Sequence, residues 1–128
     1  MTHGPAPIRE DRELTAEESR LIRWLLEHGT AEAAAYIDQL AQARVFARCP
    51  CGCASVDLSV AGRRPSDMGM QILSDYEWRG KDGYLYGAFV FAQDGLLAGL
   101  DLWSIDGQAT ATSLPSEQDL VPLGHRYV

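Results

Sequence analysis

The chain has 128 residues and a mass of 14.1 kDa, which is the size of a single domain. Apolar residues make up 46% of the sequence and charged residues 23%, which excludes a disordered, collagen-like or membrane protein. The formal net charge is −7, so the surface repels the backbones of nucleic acids and anionic lipids. We therefore expect one acidic domain that binds no nucleic acid and no membrane.

The N-terminal segment predicts a mobile tail over residues 1–13, because prolines, a glycine and mixed charges are concentrated there. The single domain then covers residues 14–128. The chain lacks a basic start followed by an apolar run, and no stretch is long and apolar enough to span a membrane. Together with three cysteines crowded into residues 49–53, these features indicate a cytoplasmic protein rather than a disulfide scaffold.

Two helices are predicted after this tail. Thr15 is an N-cap, and Glu18 three residues later completes a capping box. Gly29 ends this helix, and Thr30 caps a second one over residues 31–43, which are rich in strong helix formers. The short connection predicts an antiparallel helical hairpin. The apolar stripe of the first helix consists of Leu21, Ile22, Leu25 and Leu26.

Alternating apolar residues and turn signals predict strands from Val45 onward. Tight turns at residues 80–83 and at Asp94-Gly95 link the last three strands into an antiparallel meander. Residues 61–70 are typical of a loop, with a helix over residues 66–74 as the alternative. Residues 108–128 form either an extended tail or a short edge element. The predicted strands cover residues 56–60, 72–79, 84–92 and 96–105.

The pattern therefore predicts an α+β fold, in which the N-terminal helical hairpin packs on one face of an antiparallel four- to five-stranded meander sheet. The strand over residues 84–92 is apolar on both faces, and two small helices cannot cover both. The second face is covered either by the C-terminal tail and the loop over residues 61–70, or by a protein partner or a second copy in a homodimer. The candidate partner-binding residues are Tyr76, Trp78, Tyr84, Tyr86 and Trp103.

The cysteines of the Cys49-Pro50-Cys51-Gly52-Cys53 segment are candidate ligands for zinc or copper, because thiolates are soft donors. Structural zinc sites normally use Cys-x-x-Cys, whereas the spacing here is one residue. In an extended strand the outer two cysteines would lie about 13 Å apart, too far to share one ion. Pro50 and Gly52 can bend the chain enough to gather the thiols. A fourth ligand would come from His28, His125, an acid or water.

Other roles for the cysteines stay open. A redox role needs a stabilised thiolate, which Arg44 and Arg48 would favour, and Cys49 and Cys53 could close a small loop. A Cys-His nucleophile would need one thiol to meet His28 or His125. The remaining interpretation is that the cysteines are small, half-buried residues of a turn.

The sequence contains no recognisable catalytic motif. It has no phosphate-binding glycine-rich loop, dinucleotide fingerprint, nucleophile elbow or His-Glu-x-x-His segment. Acids of the strands and turns are typical of a solvated surface, and we assign no catalytic residue. An enzyme is therefore not expected. The acids considered are Asp75, Glu77, Asp101 and Asp106.

Three segments of the sequence carry a resemblance: Leu14-Thr15-x-Glu17-Glu18, residues 48–58 around the cysteines, and Asp94-Gly95-Leu96 followed by Gly99-Leu100-Asp101-Leu102. They resemble a family of small uncharacterised bacterial proteins with a Cys-x-Cys-Gly-Cys segment. The resemblance covers residues 14–120 and implies no activity and no site residues, since the family has no established activity. The strand pairs of the second half also resemble those of small bacterial immunity proteins.

These observations favour a non-enzymatic, acidic, cytoplasmic binding protein, such as an immunity-type inhibitor that occludes a more basic partner. Opposite net charge would speed the encounter of the two proteins. The alternative function is a metal- or redox-responsive protein that uses Cys49, Cys51 and Cys53, with zinc as the expected cofactor.

Overall fold

The computed structural model describes residues 6–66 and 69–123. Helix α1 covers Ala16–Glu27 and the short helix α2 covers Ile37–Leu40, while 3₁₀ helices cover Ala33–Tyr36 and Glu117–Asp119. The strands are Ile8–Glu13 (β1), Ala43–Arg48 (β2), Val56–Val60 (β3), Gln71–Arg79 (β4), Leu85–Gln93 (β5), Leu96–Ser104 (β6) and Val121–Pro122 (β7). They form one seven-stranded sheet of antiparallel pairs in the order β1-β2-β3-β6-β5-β4-β7.

The predicted helical hairpin on a four- to five-stranded meander is therefore wrong, although the fold is α+β. The sheet has seven strands, and the second long helix is replaced by a 3₁₀ helix and the four-residue α2. Strand β2 begins at Ala43, and its Val45 is buried and pairs with Leu58 of β3. Gln39 of α2 is held by the β5–β6 hairpin, bonding Gly95 O at 3.0 Å and Leu97 N at 2.8 Å. These long-range contacts outweigh local helix propensity.

The first strand also differs from the sequence-based expectation. Part of the segment predicted to be a mobile tail, Ile8–Glu13, is the edge strand β1 and pairs with β2. The sequence of β1 shows no alternation of apolar and polar residues, because nearly every residue is charged. Ion pairs, rather than burial, hold its side chains. Arg12 bonds Glu18 of α1 at 2.9 and 3.0 Å, and Arg48 bonds Glu10 at 3.2 Å.

Strands β4, β5 and β6 pair through the two tight turns as the sequence predicts. Strand β3, however, pairs with β6, so the chain crosses between β3 and β4 through residues 61–70. Arg64 in this connection donates to Leu58 O at 2.8 Å and Ala98 O at 3.2 Å, beyond the last paired residues of β3 and β6. Because β4 begins at Gln71, the alternative helix over residues 66–74 does not form along its second half.

One face of the sheet carries the hydrophobic core. Helix α1 begins with the predicted capping box, in which Glu18 N and Thr15 Oγ1 are 3.0 Å apart and Thr15 N and Glu18 Oε1 are 2.9 Å apart. Its apolar stripe is fully buried against the sheet, and Ala111 and Leu120 of the C-terminal segment complete the core. Strand β7 then pairs with β4, so residues 108–123 combine an extended segment with an edge strand. None of the helices in the described residues has the length and apolarity to cross a membrane.

The Arg12–Glu18 pair yields a stability prediction. Burial would raise the pKa of Glu18, but the hydrogen bonds from Arg12 and Thr15 outweigh burial and lower it. We expect Arg12→Gln to reduce the free energy of unfolding by about 2 kcal/mol at neutral pH, because a buried carboxylate loses its cation. A group with a lowered folded pKa stabilises above its unfolded pKa and loses that effect as the pH falls through the folded value. In urea titrations, the deficit of the variant should therefore shrink as the pH falls below the usual pKa range of a glutamate.

The matched control is Arg23→Gln, which makes the same change in the exposed Arg23–Glu27 pair of α1. Exposed pairs of this kind contribute about 0.5 kcal/mol or less. Equal losses in the two variants would contradict the role assigned to Arg12.

The contact between the end of α1 and β4 gives a second prediction. A Cβ at Gly29 would overlap Leu73 O, which already accepts a 2.8 Å bond from Thr30 N. Gly29→Ala should cost about 3 kcal/mol of unfolding free energy, since backbone atoms must move apart. The control is Gly83→Ala, where φ is +87° but the side chain meets open space, with an expected cost of about 1 kcal/mol. If chemical denaturation gave the two variants similar losses of unfolding free energy, steric overlap at Gly29 would not be the cause.

Candidate metal centre

The three cysteines lie in the loop that joins β2 to β3. The base of this loop is closed by a 3.4 Å bond from Cys49 N to Ser55 O. Ala54 N donates to Ala111 O at 2.8 Å, and the hydroxyl of Ser55 donates to Asp101 Oδ1 at 2.8 Å. Gly52 takes a φ of +92°, a left-handed conformation that suits glycine and turns the chain back on itself. The loop is therefore anchored at its base and bent at its tip.

This bend brings the three thiols together. Their Sγ atoms all lie within 4.8 Å of one another, and the three cysteines are unpaired. The separation of about 13 Å expected for an extended strand does not apply, because the loop is folded at Gly52. Cys51 is exposed, whereas Cys49 and Cys53 are half-buried. The cluster is thus compact and open to solvent on one side.

Hydrogen bonds within the loop favour one thiolate. The backbone N–H of Cys51 donates to Cys49 Sγ at 3.4 Å, and that of Cys53 donates to Cys51 Sγ at 3.3 Å. The pKa of Cys51 is lowered most by its hydrogen bond with the Cys49 thiol, and further by the Cys53 thiol and the Cys53 backbone N–H. Burial and the hydrogen bond with Cys51 raise the pKa of Cys49 to about 12. Cys51 is therefore the first thiol of this pair to ionise.

The arrangement fits a thiophilic metal ion. When three sulfurs lie within 4.8 Å of one another, some point lies no more than about 2.8 Å from all three, and Zn–S bonds are about 2.3 Å long. Small side-chain rotations can close a gap of up to about 0.5 Å. Zinc and copper(I) are the ions that thiolates prefer. The cysteines are thus close enough together to hold a metal ion.

The other ligands considered from the sequence do not join this group. His28 stacks on Trp24 with ring centroids 4.0 Å apart, and its Nδ1 lies 2.8 Å from Trp24 O. His125 lies outside the described residues. Within residues 6–66 and 69–123, the group contains no histidine and no carboxylate. A fourth ligand from the described part of the chain is therefore not in place.

The arginines expected to stabilise a thiolate have other partners. Arg44 donates to Asp11 O at 2.8 Å, and Arg48 pairs with Glu10 at 3.2 Å. Neither arginine contributes to the lowered pKa of Cys51, which comes from the neighbouring thiols and the Cys53 backbone N–H.

The predicted partner-binding residues occupy different surroundings. Trp78 and Tyr86 are buried and stack with ring centroids 5.2 Å apart. Tyr76 packs edge-on against Trp24 and donates its hydroxyl proton to His28 O. Tyr84 precedes β5 and is 41% exposed, and Trp103 is 37% exposed on the other face of the sheet. The five side chains do not share one surface.

No family model matches this chain, and neither a curated protein nor a solved structure matches it. The resemblance to small bacterial proteins with a Cys-x-Cys-Gly-Cys segment therefore stays a prediction. The site must be interpreted from its own geometry.

Sequence reasoning missed the residues that hold the loop in place. Ser55 bonds Asp101 and accepts a 2.8 Å bond from Leu102 N, so it fixes the end of the loop to β6. The Ser55-Val56-Asp57-Leu58 segment carries only the signal of a strand start. The partner residue lies 46 positions away, and no local pattern indicates that contact.

The unequal thiols predict an order of modification. At neutral pH, limiting iodoacetamide should alkylate Cys51 about tenfold or more faster than Cys49, since only the thiolate reacts and Cys51 is exposed. Peptide mass spectrometry of the reduced, metal-free protein gives the rates. In denaturant, where the loop is lost, the rates should converge. Faster alkylation of Cys49 in the folded protein would refute the assigned hydrogen bonds.

Proposed function

We propose that this protein binds a zinc ion reversibly through the thiolates of Cys49, Cys51 and Cys53. The observation that carries the proposal is the convergence of the three Sγ atoms to within 4.8 Å in one folded loop. Three thiolates within this distance match the donor type and the number of protein ligands of an open zinc site.

The surroundings of the loop support an exchangeable ion. The hydrophobic core is assembled from α1, the sheet and the C-terminal segment, and none of the three cysteines belongs to it. The fold therefore does not depend on the ion, unlike a small zinc finger. The exposed position of Cys51 leaves a route by which an ion can enter and leave.

The fourth ligand comes from outside the described residues. Zinc takes four ligands, and the described part of the chain supplies three. Cys53 borders a cavity of about 290 Å³ that is also lined by Glu18, Arg48 and Thr112. This cavity has room beside Cys53 for water or for a donor atom of another molecule.

A cobalt titration tests the site directly. Co²⁺ substitutes for zinc, and thiolate ligation gives an intense near-ultraviolet charge-transfer band together with visible bands that report tetrahedral geometry. We expect one equivalent to bind in reduced protein and to be displaced by Zn²⁺, with about three Co–S bonds by X-ray absorption. Cys51→Ser should weaken zinc binding by about a hundredfold, measured by competition with a chromophoric chelator.

The control variant is Ala54→Ser, which adds a hydroxyl to the same loop and removes no thiol. It should bind cobalt and zinc as the unmodified protein does. Cobalt bands that persist after replacement of all three cysteines by serine would place the ion elsewhere. Absence of charge-transfer bands in the reduced protein would overturn the proposal.

A further inference from the structure

The face of the sheet opposite α1 carries three aromatic side chains, Phe89, Phe91 and Trp103, which we call the aromatic face. A Cβ at Gly87 would overlap the indole of Trp103, and one at Gly99 would overlap the ring of Phe91, so both rings lie over glycines of the neighbouring strand. The ring centroids of Phe89 and Phe91 are 5.8 Å apart. None of the three rings belongs to the core cluster that contains α1.

Two of the carboxylates on this face lie on either side of Phe89. Asp75 of β4 pairs in register with Phe89 of β5, which pairs in turn with Asp101 of β6. Directly opposed residues of antiparallel strands point to the same face, with Cβ atoms about 5 Å apart. A cation placed over the ring of Phe89 therefore lies within reach of both carboxylates.

Both carboxylates are uncompensated in the described part of the chain. Burial raises the pKa of Asp75, and burial outweighs the Ser55 hydrogen bond to raise the pKa of Asp101. No basic side chain among the described residues contributes to either shift. Oδ1 of Asp75 is buried without a hydrogen-bond partner there. Partly desolvated carboxylates of this kind are stabilised by an incoming cation.

We propose that the aromatic face binds a basic segment of a partner protein, with an arginine or lysine side chain over Phe89 between Asp75 and Asp101. Arginine suits this position because it stacks on aromatic rings and pairs with carboxylates. Trp103 and Ile72, 37% and 39% exposed, supply apolar contact area beside it. This inference does not depend on the proposed zinc site.

Charge favours a foreign segment over a second copy of this chain. The protein carries a formal net charge of −7, so it attracts basic partners. In a face-to-face dimer the same carboxylates would approach each other, and opposed like charges are destabilising.

Calorimetric titration of the full chain with a soluble peptide of alternating arginine and glycine tests the proposal, with a glutamate–glycine peptide as the comparison. We expect binding of the arginine peptide alone, weakened by added salt. The double variant Asp75→Asn and Asp101→Asn should bind it about tenfold more weakly. Asparagine at 101 still accepts the Ser55 hydrogen bond, and both changes remove desolvated charges, so the variant should fold.

The matched control combines Glu32→Gln with Asp38→Asn, which removes two exposed charges beside the helices. Its affinity should stay within about twofold of the unmodified protein, because the elements that carry these acids pack with α1 and not on the aromatic face. Phe89→Leu keeps the apolar volume but removes the ring, and should cost about threefold. Thermal unfolding verifies that each variant is folded.

Three results would overturn the proposal. The first is no binding of the arginine peptide, and the second is equal weakening in the two double variants, which would indicate net charge alone. The third is occupation of the face by this protein itself. If a chain ending at Leu123 bound the arginine peptide and the full chain did not, residues 124–128 would be the occupant. If the protein formed a dimer that Phe89→Leu dissociates, the occupant would be a second copy.

Discussion

The burial of one apolar stripe, that of α1, against the sheet is the contact on which the rest of the fold depends. The four residues of the stripe are at most 1% exposed, yet a helix of twelve residues cannot cover a seven-stranded sheet. Ala111 and Leu120 of the C-terminal segment therefore complete the same core. On the opposite face, the rings of Phe91 and Trp103 lie over glycines of adjacent strands.

The three cysteines lie outside this core. The ends of their loop are held by the β2–β3 hairpin and by hydrogen bonds to Ala111 and Leu102, so the tip can present thiols without contributing to stability. Ser55 links the loop to the aromatic face, because its hydroxyl bonds Asp101 at 2.8 Å. The end of the loop that carries the proposed metal site is thus attached to a carboxylate of the proposed docking surface.

Burial acts in the same direction on the pKa values of Glu18, Asp75 and Asp101, and the neighbours of each carboxyl decide the outcome. Glu18 has Arg12 and the Thr15 N–H within 3 Å, so its pKa falls despite burial. Asp75 and Asp101 have no such cation among the described residues, and their pKa values rise. The ion pair between Glu18 and Arg12 connects α1 to β1. At Asp75 and Asp101, by contrast, an incoming cation would be stabilised.

The sequence by itself determined the features that depend on neighbours a few residues apart: the capping box of Thr15 and Glu18, the turn-linked strands β4 to β6, and the cysteines as candidate ligands. Only the tertiary structure decided which distant segments meet. Residues 31–43 have helix propensity, but β2 already begins at Ala43, and its Val45 pairs with Leu58. Ile8–Glu13 is a strand because it pairs with β2. The separation of the thiols and the alignment of Asp75, Phe89 and Asp101 likewise follow from loop folding and strand register, which depend on contacts between residues far apart in the chain.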